Sequence, residues 1–73
     1  MKDELEALVN QMVDRGILLD EALAEFEKRF IQRALDHHRG HQLRAARALG
    51  IHRNTLRRKL SLYQLDHKPR RQP

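Results

Sequence analysis

The chain has 73 residues, among them 15 Lys/Arg, 10 Asp/Glu and five His, for a formal net charge of +5. That length allows one small domain, and a chain of this size buries only about 60% of its unfolded surface, so a lone monomer would be marginal. The lack of cysteine excludes disulfides and thiolate metal sites, and no apolar run approaches the roughly 20 residues of a membrane span.

The charge is divided along the chain. Residues 1–36 carry five basic and nine acidic side chains, a net of −4, whereas residues 37–73 carry ten basic and one acidic, a net of +9. This asymmetry predicts one half that binds a polyanion and another that faces something else. Nucleic acid fits the basic half. A membrane surface fits it poorly, because no broad apolar stripe accompanies the charges. The acidic start, MKDELEAL, has no apolar signal segment, which predicts a cytoplasmic protein.

Helix α1 is expected over residues 3–15. Leu5, Leu8, Val9, Met12 and Val13 recur with the spacing of one helical face. Asp3, Glu4 and Glu6 complement the dipole at its start, and Gly16 stops it. Ile17, Leu18 and Leu19 form a short extended link. Asp20 is the expected N-cap of helix α2, over residues 20–39, with Glu21 in its first turn. Leu23, Phe26, Phe30, Ala34 and Leu35 make the main apolar stripe of α2, widened by Ile31, and Gly40 ends the helix.

Helices α3, over residues 42–49, and α4, over residues 53–63, are each too short to be stable alone in water. Gln42, Ala46 and Gly50 recur every four residues and are followed by Ile51, Leu56 and Leu60. This is the pattern of a helix-turn-helix. Ala46 suits a close helix crossing, Gly50 suits a turn with positive φ, and Leu56 with Leu60 holds one face of α4 inward. Arg53, Asn54, Arg57, Arg58 and Ser61 then occupy the other face, whose width and chemistry suit a DNA major groove. No acid occurs in residues 37–65 to balance these cations. The tail from Gln64, with two prolines, is expected to be basic and disordered.

The run Gly40–Tyr63 resembles the DNA-binding end of the Fis family of bacterial nucleoid-associated proteins, a unit that also closes many NtrC-type enhancer-binding activators. The matching residues are Arg39-Gly40, Gln42, Arg44-Ala45-Ala46, Gly50-Ile51, Arg53, Thr55-Leu56-Arg57, Lys59-Leu60 and Tyr63. With the Asp20–Leu35 stretch, the resemblance covers roughly residues 17–65. It implies a bacterial nucleoid protein, a homodimer with α1 and α2 intertwined, base contact by Arg53 and DNA bending. The chain departs from the family at His41 and His52, the expected N-caps of α3 and α4, where the family commonly has a short polar residue. It departs again at Leu43.

The expected architecture is therefore all-α: dimerisation helices over 1–39, a helix-turn-helix over 40–63 and a tail over 64–73. The expected DNA-binding residues are Gln42, Arg44, His52, Arg53, Asn54, Thr55, Arg57, Arg58 and Lys59. Arg53 suits a bidentate contact to guanine, Asn54 an adenine or a phosphate, and Thr55, Arg57, Arg58 and Lys59 suit phosphates. Gln42 and Arg44 open α3, where free amides also attract phosphate. Two helices alone would leave the stripe of α2 wet, so a second copy is expected to cover Leu8, Met12, Leu23, Phe26 and Phe30.

No catalytic constellation, cofactor or small-molecule substrate is expected. His37 and His41 are separated by Gly40, and no nearby carboxylate joins them, so no metal site is expected. The Met1 start and the basic tail favour a self-standing protein over the output domain of a larger activator. The reading from a different class is a helical protein-interaction module with a basic end, binding an acidic partner or RNA. Structured RNA is disfavoured, because its deep groove does not admit a helix easily.

Overall fold

Four helices follow one another in the computed structural model, which describes residues 1–65: α1 Lys2–Asp14, α2 Leu19–His37, α3 Gln42–Leu49 and α4 Arg53–Leu62. No strand occurs among the described residues, in agreement with the expected all-α class. The expected disordered tail is corrected at its start, because Leu65 folds back and packs against the core; from residue 66 onward it lies outside the described residues.

The helix starts differ in their chemistry. At α1 the amino terminus of Met1 lies 2.9 Å from Glu4 Oε1, and Asp3 and Glu4 occupy the first turn, where negative charge meets the positive end of the helix dipole. At α2 the expected cap is corrected. The helix begins at Leu19, so Asp20 lies inside the first turn, and Leu18 supplies the extended backbone before it. Glu21 Oε1 accepts a hydrogen bond from the Leu18 amide at 3.4 Å. A carboxylate three residues past the cap thus reaches back to the cap amide, one half of a capping box.

All four helices stop in one way. A residue with positive φ follows each: Gly16 at 75°, Arg39 at 57°, Gly50 at 76° and Gln64 at 59°. The next amide folds back onto the last helical turn. Ile17 donates to the Met12 carbonyl at 3.1 Å, Gly40 to Leu35 at 2.8 Å, Ile51 to Ala46 at 3.0 Å and Leu65 to Leu60 at 2.7 Å. This closure satisfies carbonyls that the helix leaves without partners. It also corrects the expected end of α2. The helix stops at His37, and Arg39, not Gly40, takes the closing position.

The core is small and lies at the C-terminal end of α2. Ile31 and Leu35 of α2, Ala45 and Ala46 of α3, and Leu56 and Leu60 of α4 are buried together, with Leu49, Ile51, Tyr63 and Leu65 packed around them. Ala45, Leu56 and Leu60 are wholly inaccessible and Ala46 is 1% exposed. The small side chains of α3 let it sit close to its neighbours, as the sequence requires of Ala46.

The apolar residues of α2 divide between two faces, where the sequence predicts one stripe. Ile31 and Leu35 turn into the helix-turn-helix core, while Leu23, Phe26 and Phe30 are 60%, 55% and 55% exposed. Helical geometry separates them, since Ile31 and Leu35 lie one residue past Phe30 and Ala34 and so about 100° around the axis. Helix α1 contributes no buried residue. It runs beside α2 across an open groove of about 990 Å³, lined by Leu8, Val9, Met12 and Val13 on one side and Leu23, Phe26 and Phe30 on the other.

Candidate nucleic-acid interface

The outward face of α4 is set by what its inward face buries. Leu56 and Leu60, one turn apart, are both sequestered, which turns Arg53, Asn54, Arg57 and Arg58 to the exposed side. Thr55 and Lys59, one turn apart on the flank, are half-buried. Among the described residues, no carboxylate lies within ion-pair distance of Arg44, Arg53, Arg57 or Arg58. Like charges on neighbouring turns cost stability, so an unneutralised row of arginines at a helix surface presents a field for a ligand.

Histidine caps both helices of the unit, as the sequence predicts. His52 Nδ1 accepts from the Asn54 amide at 3.0 Å, and His41 Nδ1 accepts from the Arg44 amide at 3.4 Å. Both capping residues have extended backbone. A ring nitrogen that accepts carries no proton, so the neutral ring bears its proton on Nε2. Gln42 and Arg44 are exposed in the first turn of α3, so they sit beside the free amides of that helix start.

Lys59 occupies a place the sequence did not reveal. Its Nζ lies 2.9 Å from Glu27 Oε2 on α2. Glu27 Oε1 also accepts a hydrogen bond from the Tyr63 hydroxyl. The expectation that these cations lack any balancing acid is therefore corrected for Lys59, because Glu27 approaches from outside the basic segment. The Tyr63 hydrogen bond, and then Lys59, holds the Glu27 carboxyl below the usual carboxylate range. The same bond raises the Tyr63 hydroxyl above its ordinary value. The sequence holds one hint of this contact. Glu27 follows Phe26 by one position, so on a helix it turns away from the stripe of Leu23, Phe26 and Phe30.

His37 and His38 meet edge to face, with ring centroids 5.2 Å apart. Among the described residues, no group of three or more His, Cys, Asp or Glu comes together, and no helix is long and apolar enough to cross a membrane.

Comparison with known proteins places this arrangement among bacterial regulators. Residues 22–63 match the family described as "Bacterial regulatory protein, Fis family". The DNA-binding transcriptional regulator NtrC of Klebsiella pneumoniae is 42% identical over 66 residues, covering 82% of this chain and 14% of that protein. The DNA-binding protein Fis of Photobacterium profundum is 39% identical over 66 residues, covering 90% of this chain and 65% of that protein. Fis of Buchnera aphidicola subsp. Acyrthosiphon pisum is 43% identical over 53 residues, covering 73% of this chain and 54% of that protein. The chain thus spans about one seventh of the NtrC relative's length and less than two thirds of the Fis relatives'. No solved structure matches it significantly.

Proposed function

The chain belongs to the Fis family of bacterial regulatory proteins, and we propose that it binds double-stranded DNA as a homodimer and regulates transcription or shapes the bacterial nucleoid. The observation that carries this reading is the outward face of α4, where four exposed polar and basic side chains stand over two wholly buried leucines. Arg53, in the first turn, is placed to read guanine O6 and N7. Asn54 reads an adjacent base or holds a phosphate, and His52 offers an Nε2–H donor at the same helix end. Thr55, Arg57 and Arg58 hold phosphates along α4, and Gln42 and Arg44 do so at α3. The names of the relatives, DNA-binding protein Fis and DNA-binding transcriptional regulator NtrC, support the same ligand.

A second copy of the chain is the proposed cover for the groove between α1 and α2. Phe26 and Phe30, with ring centroids 5.5 Å apart, remain half exposed beside Leu8, Met12 and Leu23. Stacking two such faces buries a continuous apolar core that neither chain provides alone. Two recognition helices on one dimer would contact successive major-groove faces and favour bent DNA.

Footprinting on duplexes recovered by sequence selection tests the DNA reading, and sedimentation tests the dimer. Protected half-sites related by two-fold symmetry are expected. A compact monomer at micromolar concentration would contradict the assembly. The match to NtrC favours a second setting for the same activity, as the DNA-binding part of a longer regulator. The mass of the endogenous protein on an immunoblot decides between the two settings.

A further inference from the structure

We propose that Glu27 is a positioning residue for DNA recognition, and that its partner Lys59 belongs to the fold and not to the phosphate-binding set. This rests on the DNA-binding reading above. Lys59, in the last turn of α4, and Tyr63, the residue that caps its end, are four residues apart and so face the same side. Glu27 engages both, one through each carboxylate oxygen. Two bonds from one carboxylate to the last turn and the cap of a helix oppose rotation of that helix about its axis, which a single bond would allow.

The place where this bridge sits matters. Beside it the side chains leave a groove of about 460 Å³, with Leu23, Phe30 and Ile31 of α2 on one side, Leu49 and Ile51 on the other, and Glu27 and Lys59 in its wall. Apolar side chains thus leave α2 apart from α3 and the turn before α4 on this side, and the Glu27–Lys59 pair crosses the opening. Helix α2 also carries the proposed dimer stripe. Glu27 thus ties the angle of the recognition helix to the part of the chain that sets the spacing of two such helices. A change in that angle would disturb base-edge contacts, which are directional, more than it would disturb attraction to phosphates.

The ion pair also removes Lys59 from the interface. The exposed arginines of α4 have no acidic partner among the described residues, whereas Lys59 Nζ is held at 2.9 Å and its side chain is 31% exposed. To bind a phosphate it would have to abandon a charge-assisted bond that is already formed.

The test is fluorescence-anisotropy titration of the full chain with a duplex recovered by selection and with a scrambled duplex of equal length, at about 50–200 mM salt. Arg57→Gln should lower the slope of log affinity against log salt by about 0.9 for each phosphate it no longer neutralises. Lys59→Gln should leave that slope as in the unmutated protein. Glu27→Gln should narrow the affinity ratio between the two duplexes by about tenfold or more without lowering the slope. Tyr63→Phe, which removes one of the two bonds and no charge, should narrow the ratio in the same direction. The proposal is overturned if Lys59→Gln lowers the slope as Arg57→Gln does. It is also overturned if Glu27→Gln and Tyr63→Phe keep full discrimination, or weaken both duplexes equally. If the unmutated protein binds neither duplex, the DNA reading itself fails and takes this proposal with it. Overturning by the variants alone leaves that reading standing.

Discussion

Tyr63, just past the end of α4, donates its hydroxyl to the carboxylate of Glu27 on α2, a residue 36 positions earlier in the chain. With the Lys59 ion pair, this bond couples the recognition helix to the helix that carries the proposed dimer surface.

The bond makes stability depend on pH in two windows. The folded chain holds Glu27 below 4.5, chiefly through Tyr63 and then Lys59. Its contribution is therefore complete above 4.5 and is lost as pH falls through the lower folded value. Tyr63 is held above 10.0 by Glu27, so its contribution is complete below 10.0 and is lost as pH rises through the higher folded value. Urea midpoints of the unmutated chain and of Glu27→Gln should differ most between these limits and converge at both extremes. A constant difference across the whole range would show that the bridge does not contribute to stability.

Arg53→Ala should cost about 1–3 kcal/mol of binding to a selected duplex and relax its preference at one base position. Competition between selected and scrambled duplexes measures this. An equal loss on both would reassign Arg53 to the DNA backbone.

Phe30→Asp should abolish the dimer and keep the helix-turn-helix. Phe30 lies outside the buried cluster of Ile31, Leu35, Ala45, Ala46, Leu56 and Leu60. An unpaired carboxylate buried between subunits costs several kcal/mol, so self-association should weaken more than about 100-fold. Sedimentation reads the assembly and circular dichroism reads the retained helix. An unchanged dimer would place the interface elsewhere.

Leu56→Ala should destabilise the chain by about 2–5 kcal/mol, because the side chain is wholly buried and its neighbours cannot fully collapse into the space. Ala46→Leu should cost about 1–3 kcal/mol from overpacking at the α3 crossing. Denaturant unfolding measures both, and a neutral Ala46→Leu would mean that the crossing can open.

Arg39→Gly should stabilise the chain by about 0.5–1 kcal/mol. Arg39 sits at φ 57°, a region that costs a side-chain-bearing residue about 1–2 kcal/mol, part of which glycine returns through the freedom of its unfolded chain. The same unfolding experiment tests it, and a destabilised variant would mean that the Arg39 side chain holds the corner.

By itself the sequence determined the elements that depend on local spacing. The order of four helices, the glycine turn at Gly50, the inward Leu56 and Leu60, the close-packed Ala46 and the two histidine caps are all legible, because each follows from periodicity or from one residue's backbone preference. Tertiary structure decided the rest. Arg39 and Gln64 close their helices without being glycine, since the returning amides of Gly40 and Leu65 satisfy helix-end carbonyls and offset the backbone cost. Helical spacing sets Ile31 and Leu35 apart from Phe26 and Phe30, but that α3 and α4 cover the first pair and leave the second exposed is a partner choice that spacing does not encode. Lys59 looked like one more cation in an acid-free segment. Glu27, on a helix far earlier in the sequence, neutralises it because the folded chain lays α4 beside α2, and no local pattern can express an electrostatic contact that exists only once two distant helices meet.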